Sequence, residues 1–473
     1  MDNSTTQQTK TNDFSKGAVW KNILSMAVPM MIAQVIQLLY NIVDRVYIGH
    51  LPGDSTVPLT ALGLTFPVIT VITAFTNLFG MGGAPLCSIA RGQGNIGRAE
   101  KIMGNAFAML MITGAVLVIV LNLTMKPVLY AFGAGEETYP LASRYLRIYL
   151  LGTFFSMAGL GMNSFINSQG FGRKGMTTIL IGAVANIVLD PVFIFVFHMG
   201  VQGAALATVI SQGLSAFFVM KFLLSGKAVY RLKLRCLKPD PAVILRITSL
   251  GLANFIMSAT NALTQAACNT MLKKFGGDLY IAVMTVLGSV RDISWTTVQG
   301  LSQGAQPVLG YNYGAKEYRR VQKGIKFLAV TSALYTTVIW ILTMTFPESF
   351  IHIFNSHPEL LEAGVPALHI YFFGFFMMSL QFTGQTAFTA LGLSKQAIFF
   401  SLLRKAIIVV PLTFILPYVA GLGVKGVFLA EPVSNFIGGI ACFLTMYFTV
   451  YRKLGKTRSG KGGNPEKLPS GVD

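Results

Sequence analysis

The chain has 473 residues, of which 53% are hydrophobic and only 12% are charged, and its formal net charge is +19. A soluble domain carries about 25% charged residues, so this composition excludes an ordinary soluble protein and indicates that most of the chain faces membrane lipid. The excess of Lys and Arg does not indicate a nucleic-acid-binding protein. These residues lie in short loops between apolar segments, without the interleaved aromatic residues that such proteins use.

The predicted elements are transmembrane helices, each of which needs about 20 apolar residues to cross the hydrocarbon core. A polar segment, 1–21, comes first and has no signal-peptide core. Twelve apolar segments follow, at residues 22–47, 57–85, 100–125, 140–168, 174–197, 201–224, 242–272, 280–308, 318–346, 363–390, 396–418 and 423–450. We therefore expect an all-α polytopic membrane protein with a six-helix N-lobe (22–224), a basic linker (225–241), a six-helix C-lobe (242–450) and a disordered basic tail (451–473).

The loops between these segments alternate in charge. Every second loop is basic, and the largest basic loop contains Lys227, Arg231, Lys233, Arg235 and Lys238. The intervening loops contain the acids Asp54, Glu136, Glu137, Asp278, Glu348, Glu359 and Glu362. Lys and Arg accumulate in cytoplasmic loops. We predict that both termini are cytoplasmic and that the chain is a multi-pass protein of the bacterial plasma (inner) membrane.

The two halves repeat each other at a nearly constant offset. Gly82, Pro85 and Gly92 recur as Gly304, Pro307 and Gly314, 222 positions later, and Gly200-Val201-Gln202-Gly203 recurs as Gly423-Val424-Lys425-Gly426, 223 positions later. An even number of spans per half places both halves in the membrane with the same orientation. Parallel repeats of this kind are typical of secondary transporters.

Two acids lie inside predicted spans, where an ionisable side chain is costly and marks a functional candidate. Asp44 lies late in the first span and Asp190 late in the fifth, and both spans run outward, so the two acids can share one depth. Asn186 lies four residues before Asp190 on the same helix face, and Thr208 can reach that depth from the sixth span. Such a cluster suits either a proton site or a Na⁺ site at Asp44, Asn186 and Asp190. The alternative is that the acids are interfacial, or neutralised by Arg45 or Arg147.

The C-lobe contains a second set of polar residues within its spans. We take these as candidates for a substrate cavity, with packing or ion-pair roles as an equal alternative: Gln265, Arg291, Asp292, Gln303, Gln381, Gln385 and Glu431. The positions 222 residues after Asp44, Asn186 and Asp190 are Ala266, Ile408 and Leu412. The acidic cluster is therefore confined to the N-terminal half.

Several runs of sequence resemble the multidrug and toxic compound extrusion (MATE) family. They are Val43 to His50, Asn186 to Pro191, Gly200 to Thr208, Gly304 to Pro307 and Tyr311 to Ala315. The resemblance covers about residues 20–450 and is strongest to the bacterial branch of DinF- and MepA-like proteins. It implies a V-shaped pair of six-helix bundles that exchange cations for drugs by alternating access. It also implies a cation-coupling site at Asp44, Asn186, Asp190 and Thr208, with Tyr145 as a further member.

The sequence departs from one branch of that family in two ways. Where that branch has acidic cation ligands in its second lobe, this chain has Gln265, Gln381 and Gln385. Arg45 also stands where many members have Thr, which alters the electrostatics beside Asp44.

We therefore predict a monomeric secondary transporter that exports cationic or amphipathic drugs in exchange for H⁺ or Na⁺. No cofactor is expected beyond that coupling ion. The alternative is a flippase for a lipid-linked saccharide or another polar lipid, which would favour a basic cavity. We do not expect an enzyme, because the five histidines form no HExxH motif and lie outside or at the ends of the spans.

Overall fold

The structure is a computed structural model that describes residues 13–49, 56–354 and 357–456. Residues 1–12, Asp54 and residues 457–473 of the predicted tail lie outside the described residues, as does the side chain of Arg45. The described chain is helical throughout its regular structure and contains no β-strand. Its helices are α1 (Val19–Gly49), α2 (Thr56–Gly92), α3 (Ile96–Leu123), α4 (Met125–Ala131), α5 (Thr138–Leu151), α6 (Thr153–Ser168), α7 (Gly172–Val196), α8 (Val201–Leu224), α9 (Pro241–Gly314), α10 (Tyr318–Thr345), α11 (Pro347–His352), α12 (Pro358–Ala390), α13 (Ser394–Gly421) and α14 (Val424–Gly455).

These helices account for the predicted spans. Ten helices of the described residues are long and apolar enough to cross a membrane, and the bent pair α5 and α6, which meet at 53°, makes an eleventh span. Helix α9 has 74 residues, which at about 1.5 Å per residue is far longer than one crossing needs. It is interrupted at Gly277, whose φ of 72° is open to glycine but strained for other residues. Its two arms, 241–276 and 278–314, therefore supply two of the twelve predicted spans.

By their internal contacts the residues divide into two compact units. Among the described residues, the first unit comprises 13–16 and 28–251, and the second comprises 17–27 and 252–456. The predicted lobe boundaries at 22, 224 and 242 stay predictions. The beginning of α1 packs within the second unit, and the beginning of α9 packs within the first.

Glycines at equivalent repeat positions allow the beginnings of α1 and α9 to pack in these units. In the first unit, a Cβ atom on Gly82 of α2 would overlap the carbonyl oxygen of Ile247 in α9. In the second unit, a Cβ atom on Gly304 of α9 would overlap the backbone of Ala27 in α1. Small residues let helix backbones approach closely in membranes. The repeated Gly82 and Gly304 are therefore close-packing positions in both units.

The basic segment 225–240 packs within the first unit. Tyr230 is fully buried and its hydroxyl is hydrogen-bonded to Ser168. Lys233 Nζ donates to Glu100 Oε2 at 2.6 Å. Lys101 Nζ lies 2.5 Å from Asp240 Oδ2, and this contact holds the pKa of Asp240 below its usual range. The start of α3 thus holds the segment by ionic and polar contacts.

Replacing Gly104 with Ala is expected to loosen this segment. A Cβ atom on Gly104 of α3 would overlap the carbonyl of Cys236, and overpacking of this kind costs about 1–3 kcal/mol. Because proteolysis follows the population of the open form, trypsin should cleave within 225–240 about 5- to 150-fold faster, at roughly tenfold per 1.4 kcal/mol. The measurement is the rate at which the detergent-solubilised chain is cut into its two halves.

Gly97→Ala is the matched control on the same helix. The nearest atom to a Cβ at that position is Asn95 Oδ1, at 3.9 Å, so the added methyl group meets open space. Equal cleavage rates in the Gly104→Ala and Gly97→Ala chains would show that the contact with Cys236 does not hold the segment.

Candidate functional site

The local structure of α7 places two polar side chains inside the first unit. Asn186 and Asp190 are four residues apart on one face, and their exposed fractions are 2% and 0%. Pro191 follows directly and has no N–H to donate to the carbonyl of Ile187. The helix continues as a π-helical turn, Val192–Val196. Turns of this type interrupt helices frequently at functional sites.

Asn186 joins the two helices that carry the predicted site. Its Nδ2 donates to Asp190 Oδ1 at 3.2 Å and to Thr208 Oγ1 of α8 at 3.5 Å. Thr208 is 7% exposed. Asp190 Oδ2 and Asn186 Oδ1 are buried and have no hydrogen-bond partner among the described residues. A buried oxygen without a donor is costly, so these two oxygens are open to a further partner.

The other two predicted members lie close to Asp190. Asp44 is half-buried on α1 and interacts electrostatically with Asp190. Tyr145 of α5 is buried, stacks on Tyr149 with ring centroids 6.2 Å apart, and interacts with both acids. Arg147, one of the two residues considered for neutralising the acids, is exposed. The structure thus brings all five predicted residues together, while their role in ion coupling stays a prediction.

A cleft of about 50 Å³ opens beside this cluster, within the first unit. Its wall includes Gln37, Tyr40, Asn186, Thr208, Ser211 and Gln212. Besides Asn186 Oδ1, Ser211 Oγ and Gln212 Oε1 are buried without a hydrogen-bond partner among the described residues. A wall rich in unsatisfied acceptor oxygens favours a ligand that donates hydrogen bonds or carries positive charge.

The donor set at the cluster suits a hard monovalent cation better than a transition metal. It offers the carboxylates of Asp44 and Asp190 and the amide oxygen of Asn186, which are oxygen ligands. Groups of three or more His, Cys, Asp and Glu residues that could hold a metal do not occur within the described ranges.

A second, much smaller cavity, of about 10 Å³, lies within the second unit. Three of the predicted C-lobe residues line it, namely Gln265, Arg291 and Glu431. Lys405 and Tyr371 also line it. Lys405 Nζ lies 2.9 Å from each carboxylate oxygen of Glu431, and Arg404 Nη2 lies 3.1 Å from Glu431 Oε1. Arg404, Lys405 and Glu431 are all buried.

The other four predicted C-lobe residues do not line this cavity. Asp292 is largely exposed and pairs with its neighbour Arg291 at 2.9 Å. Gln381 Nε2 donates to the carbonyl of Phe400 at 3.4 Å, and Gln385 Nε2 donates to the carbonyl of Ala397 at 3.0 Å. These two amides tie α12 to α13. Gln303 lies on the second arm of α9.

Sequence reasoning missed Arg404 and Lys405, although a signal was present. The two cations are adjacent within the predicted span 396–418, where each carries a penalty of several kcal/mol. Their partner Glu431 was among the predicted residues. The last two predicted spans, 396–418 and 423–450, together contain these two cations and that one acid, and this composition was the signal.

Comparisons with known proteins agree on one family. The MatE family model matches residues 29–192 and 254–415, one stretch in each half of the chain. The curated relatives include multidrug export protein MepA of Staphylococcus saprophyticus, which is 25% identical over 434 residues, covering 92% of this chain and 95% of that protein. MepA of Staphylococcus aureus has the same identity and coverage.

The fold is also that of solved MATE structures. A MATE crystal structure in the bent conformation superposes with a TM-score of 0.89 at 22% identity, covering 95% of this chain and 100% of that one. An outward-facing structure of a multidrug resistance MATE family transporter gives a TM-score of 0.87 at 23% identity, with the same coverage. These likenesses confirm the predicted fold class.

Proposed function

Because the chain belongs to the MatE family, we propose that it is a secondary multidrug exporter, and not an enzyme, which exchanges organic cations for H⁺ or Na⁺. The MepA relatives are multidrug export proteins, which supports the activity. The cluster of Asp190, Asn186 and Thr208 supports the coupling, since it holds buried oxygens without a hydrogen-bond partner among the described residues. That observation carries the proposal.

The chemistry of coupling follows from the charge of the cluster. Asp44 and Asp190 lie close together in an apolar setting, and two ionised carboxylates there are unfavourable. A bound proton or Na⁺ removes one negative charge and satisfies Asp190 Oδ2. An ion drives transport only if it binds one conformation more tightly than another. The π-helical turn after Pro191 is a point where α7 can change between two hydrogen-bond arrangements.

The proposed function is tested with the full chain in proteoliposomes loaded with a fluorescent organic cation. We expect efflux to be accelerated by a pH gradient or by a Na⁺ gradient, each applied alone. The coupling free energy between two ligands is typically about 1–3 kcal/mol, or roughly 5- to 150-fold. Efflux that responds to neither gradient would contradict secondary transport, and ATP-independent efflux under one gradient alone identifies the coupling ion.

We also propose a monomer in the bacterial plasma membrane, among lipid and without nucleic acid, with both termini cytoplasmic. The basic loops support the orientation. Cys236 lies in one of these loops and is partly exposed, whereas Cys87, Cys268 and Cys442 are buried. Labelling of Cys236 by a membrane-impermeant maleimide added to intact cells would contradict the orientation.

A flippase for a polar lipid is a second candidate, and one observation favours it. Arg404 and Lys405 place two buried cations in the second unit, and cations of this kind can hold a phosphate. Glu431 already contacts both of them, which leaves less charge for a pyrophosphate carrying several negative charges. Binding of an organic cation and of a lipid pyrophosphate analogue to the purified chain separates the two functions.

A further inference from the structure

The basic segment 225–240 lies beside α3 at the depth of lipid headgroups. Helix α3 has 28 residues, so its length of about 40 Å is close to the thickness of a bilayer with its headgroups. Lys233 pairs with Glu100, and Asp240 N donates to Asn105 Oδ1 at 2.7 Å. These two contacts lie about 6–14 Å along α3 from its first residue, at about 1.5 Å per residue. The segment is therefore level with the headgroups at one end of α3.

One face of the segment is packed and the other is exposed. Ala228, Tyr230 and Leu232 are buried at every second position, as in an extended chain whose alternate side chains face opposite sides. The carbonyl of Cys236 accepts from Asn105 Nδ2 at 3.3 Å. The exposed side chains are those of Lys227, Arg231, Lys233, Leu234, Arg235 and Lys238. The outer face is thus basic, while the inner face is fixed to the protein.

Most cations of this outer face have no acid to pair with. Lys233 pairs with Glu100 at 2.6 Å. The one acid in the segment's sequence, Asp240, pairs with Lys101 at 2.5 Å. Four cations of the segment form no ion pair within the described ranges, namely Lys227, Arg231, Arg235 and Lys238. The outer face therefore carries four positive charges that a partner can neutralise.

An apolar side chain stands among these cations. Leu234 begins the 3₁₀ turn Leu234–Leu237 and is 88% exposed, more than any other large apolar residue of the described chain. It lies outside the helices that are long and apolar enough to cross a membrane. Charge alone suffices for a basic loop to orient a membrane protein, so orientation does not explain an exposed leucine. Cations around an apolar side chain are typical of segments that enter a lipid interface.

Anionic phospholipid offers both partners that this face lacks. Its phosphate binds Lys and Arg, and its acyl chains take up an apolar side chain. Clusters of four or more Lys and Arg beside a membrane span are typical of binding to anionic lipid. An acidic protein would neutralise the cations, but lipid already surrounds a segment at headgroup depth beside α3.

We propose that the outer face of segment 225–240 is a docking surface for anionic phospholipid, with its four unpaired cations on the phosphates and Leu234 among the acyl chains. The lipid is thus a ligand of the first unit. This inference goes beyond the efflux function proposed above, because lipid binding needs neither a transported compound nor a coupling ion and is measured without either.

The test compares the contact of two lipids with position 234. A chain with its four cysteines replaced by Ala receives Leu234→Cys, is labelled there with bimane and is placed in phosphatidylcholine nanodiscs. Equal small fractions of phosphatidylglycerol or phosphatidylcholine with a nitroxide on the acyl chain then quench the fluorophore on contact. One cation near an anionic surface strengthens binding about fivefold. Phosphatidylglycerol should therefore associate with this position at least about fivefold more strongly than phosphatidylcholine.

Two matched variants locate this preference. The first should lose it and carries Lys227→Gln, Arg231→Gln, Arg235→Gln and Lys238→Gln. It should fold, because these side chains are exposed and the buried Tyr230 and the Lys233–Glu100 pair stay in place. The second removes the same charge from exposed positions of the second unit and should keep the preference. It carries Arg319→Gln, Lys323→Gln, Lys326→Gln and Lys395→Gln.

A label at Val196 gives the background of the measurement. Val196 is 67% exposed at the end of α7, and residues 186–206 contain no Lys or Arg, so both lipids should quench Val196→Cys equally. Equal quenching at position 234 would refute the proposal, as would a preference that persists without the four cations. Quenching of position 234 by neither lipid would also refute it and would show that Leu234 faces water or a protein partner.

Discussion

Replacing Asp190 with Asn is expected to abolish the acceleration of efflux by an ion gradient, so that a coupling of roughly 5- to 150-fold falls to none. The physical reason is that the amide cannot take up a proton or offer a carboxylate to Na⁺. The fold should survive, because the amide oxygen can still accept the bond that Asn186 Nδ2 donates at 3.2 Å. Efflux from proteoliposomes, with and without the gradient, measures the change.

Asp278→Asn is the matched control, since it makes the same chemical change at an exposed acid. Binding of the organic cation to the Asp190→Asn chain, measured without an ion gradient, should persist, because the cleft wall keeps Ser211 and Gln212. If Asp44→Asn and Asp190→Asn both retain full gradient-driven efflux, these acids do not couple the ion to the drug.

Replacing Glu431 with Gln should destabilise the second unit by about 3–5 kcal/mol, the usual cost of removing one partner from a buried ion pair. The carboxylate of Glu431 contacts both Arg404 and Lys405, and its loss leaves two cations in an apolar interior. For a unit of this size the midpoint should fall by roughly 6–20 °C. Exposure of the buried Cys268 and Cys442, which lie in that unit, to a thiol-reactive fluorophore reports the unfolding.

Lys405→Gln is the control for this prediction, because it removes a charge from the same cluster but leaves the Arg404–Glu431 pair intact. It should be clearly more stable than Glu431→Gln. A Glu431→Gln chain as stable as Lys405→Gln would mean that the cluster is not ionised as described.

The sequence was sufficient for the fold class and for the first-unit cluster, for physical reasons. Spans are long apolar runs, and their number follows from the bilayer thickness. Asn186 and Asp190 share a helix face because of their spacing, and Thr208 follows across a short turn. These relations are local in sequence. They do not depend on which distant helices pack against each other.

Relations that depend on distant packing were not predictable in the same way. Gln381 and Gln385 looked like cavity residues, yet their amides bind backbone carbonyls of α13. Which face of α12 meets α13 is decided by contacts across the unit, and no spacing rule encodes it. Asp292 binds its own neighbour Arg291, whereas separate partners had been equally compatible with the sequence.

The glycine contacts at Gly82 and Gly304 have a consequence for dissecting the molecule. In each half of the polypeptide, the first helical turns belong to the compact unit formed mainly by the other half. Residues 17–27 belong to the second unit, and residues 241–251 belong to the first. A cut between Lys227 and Lys238 therefore yields two fragments that each lack a piece of their own core. Neither fragment should fold when it is expressed alone, whereas co-expression of the two fragments should restore the complete molecule by complementation.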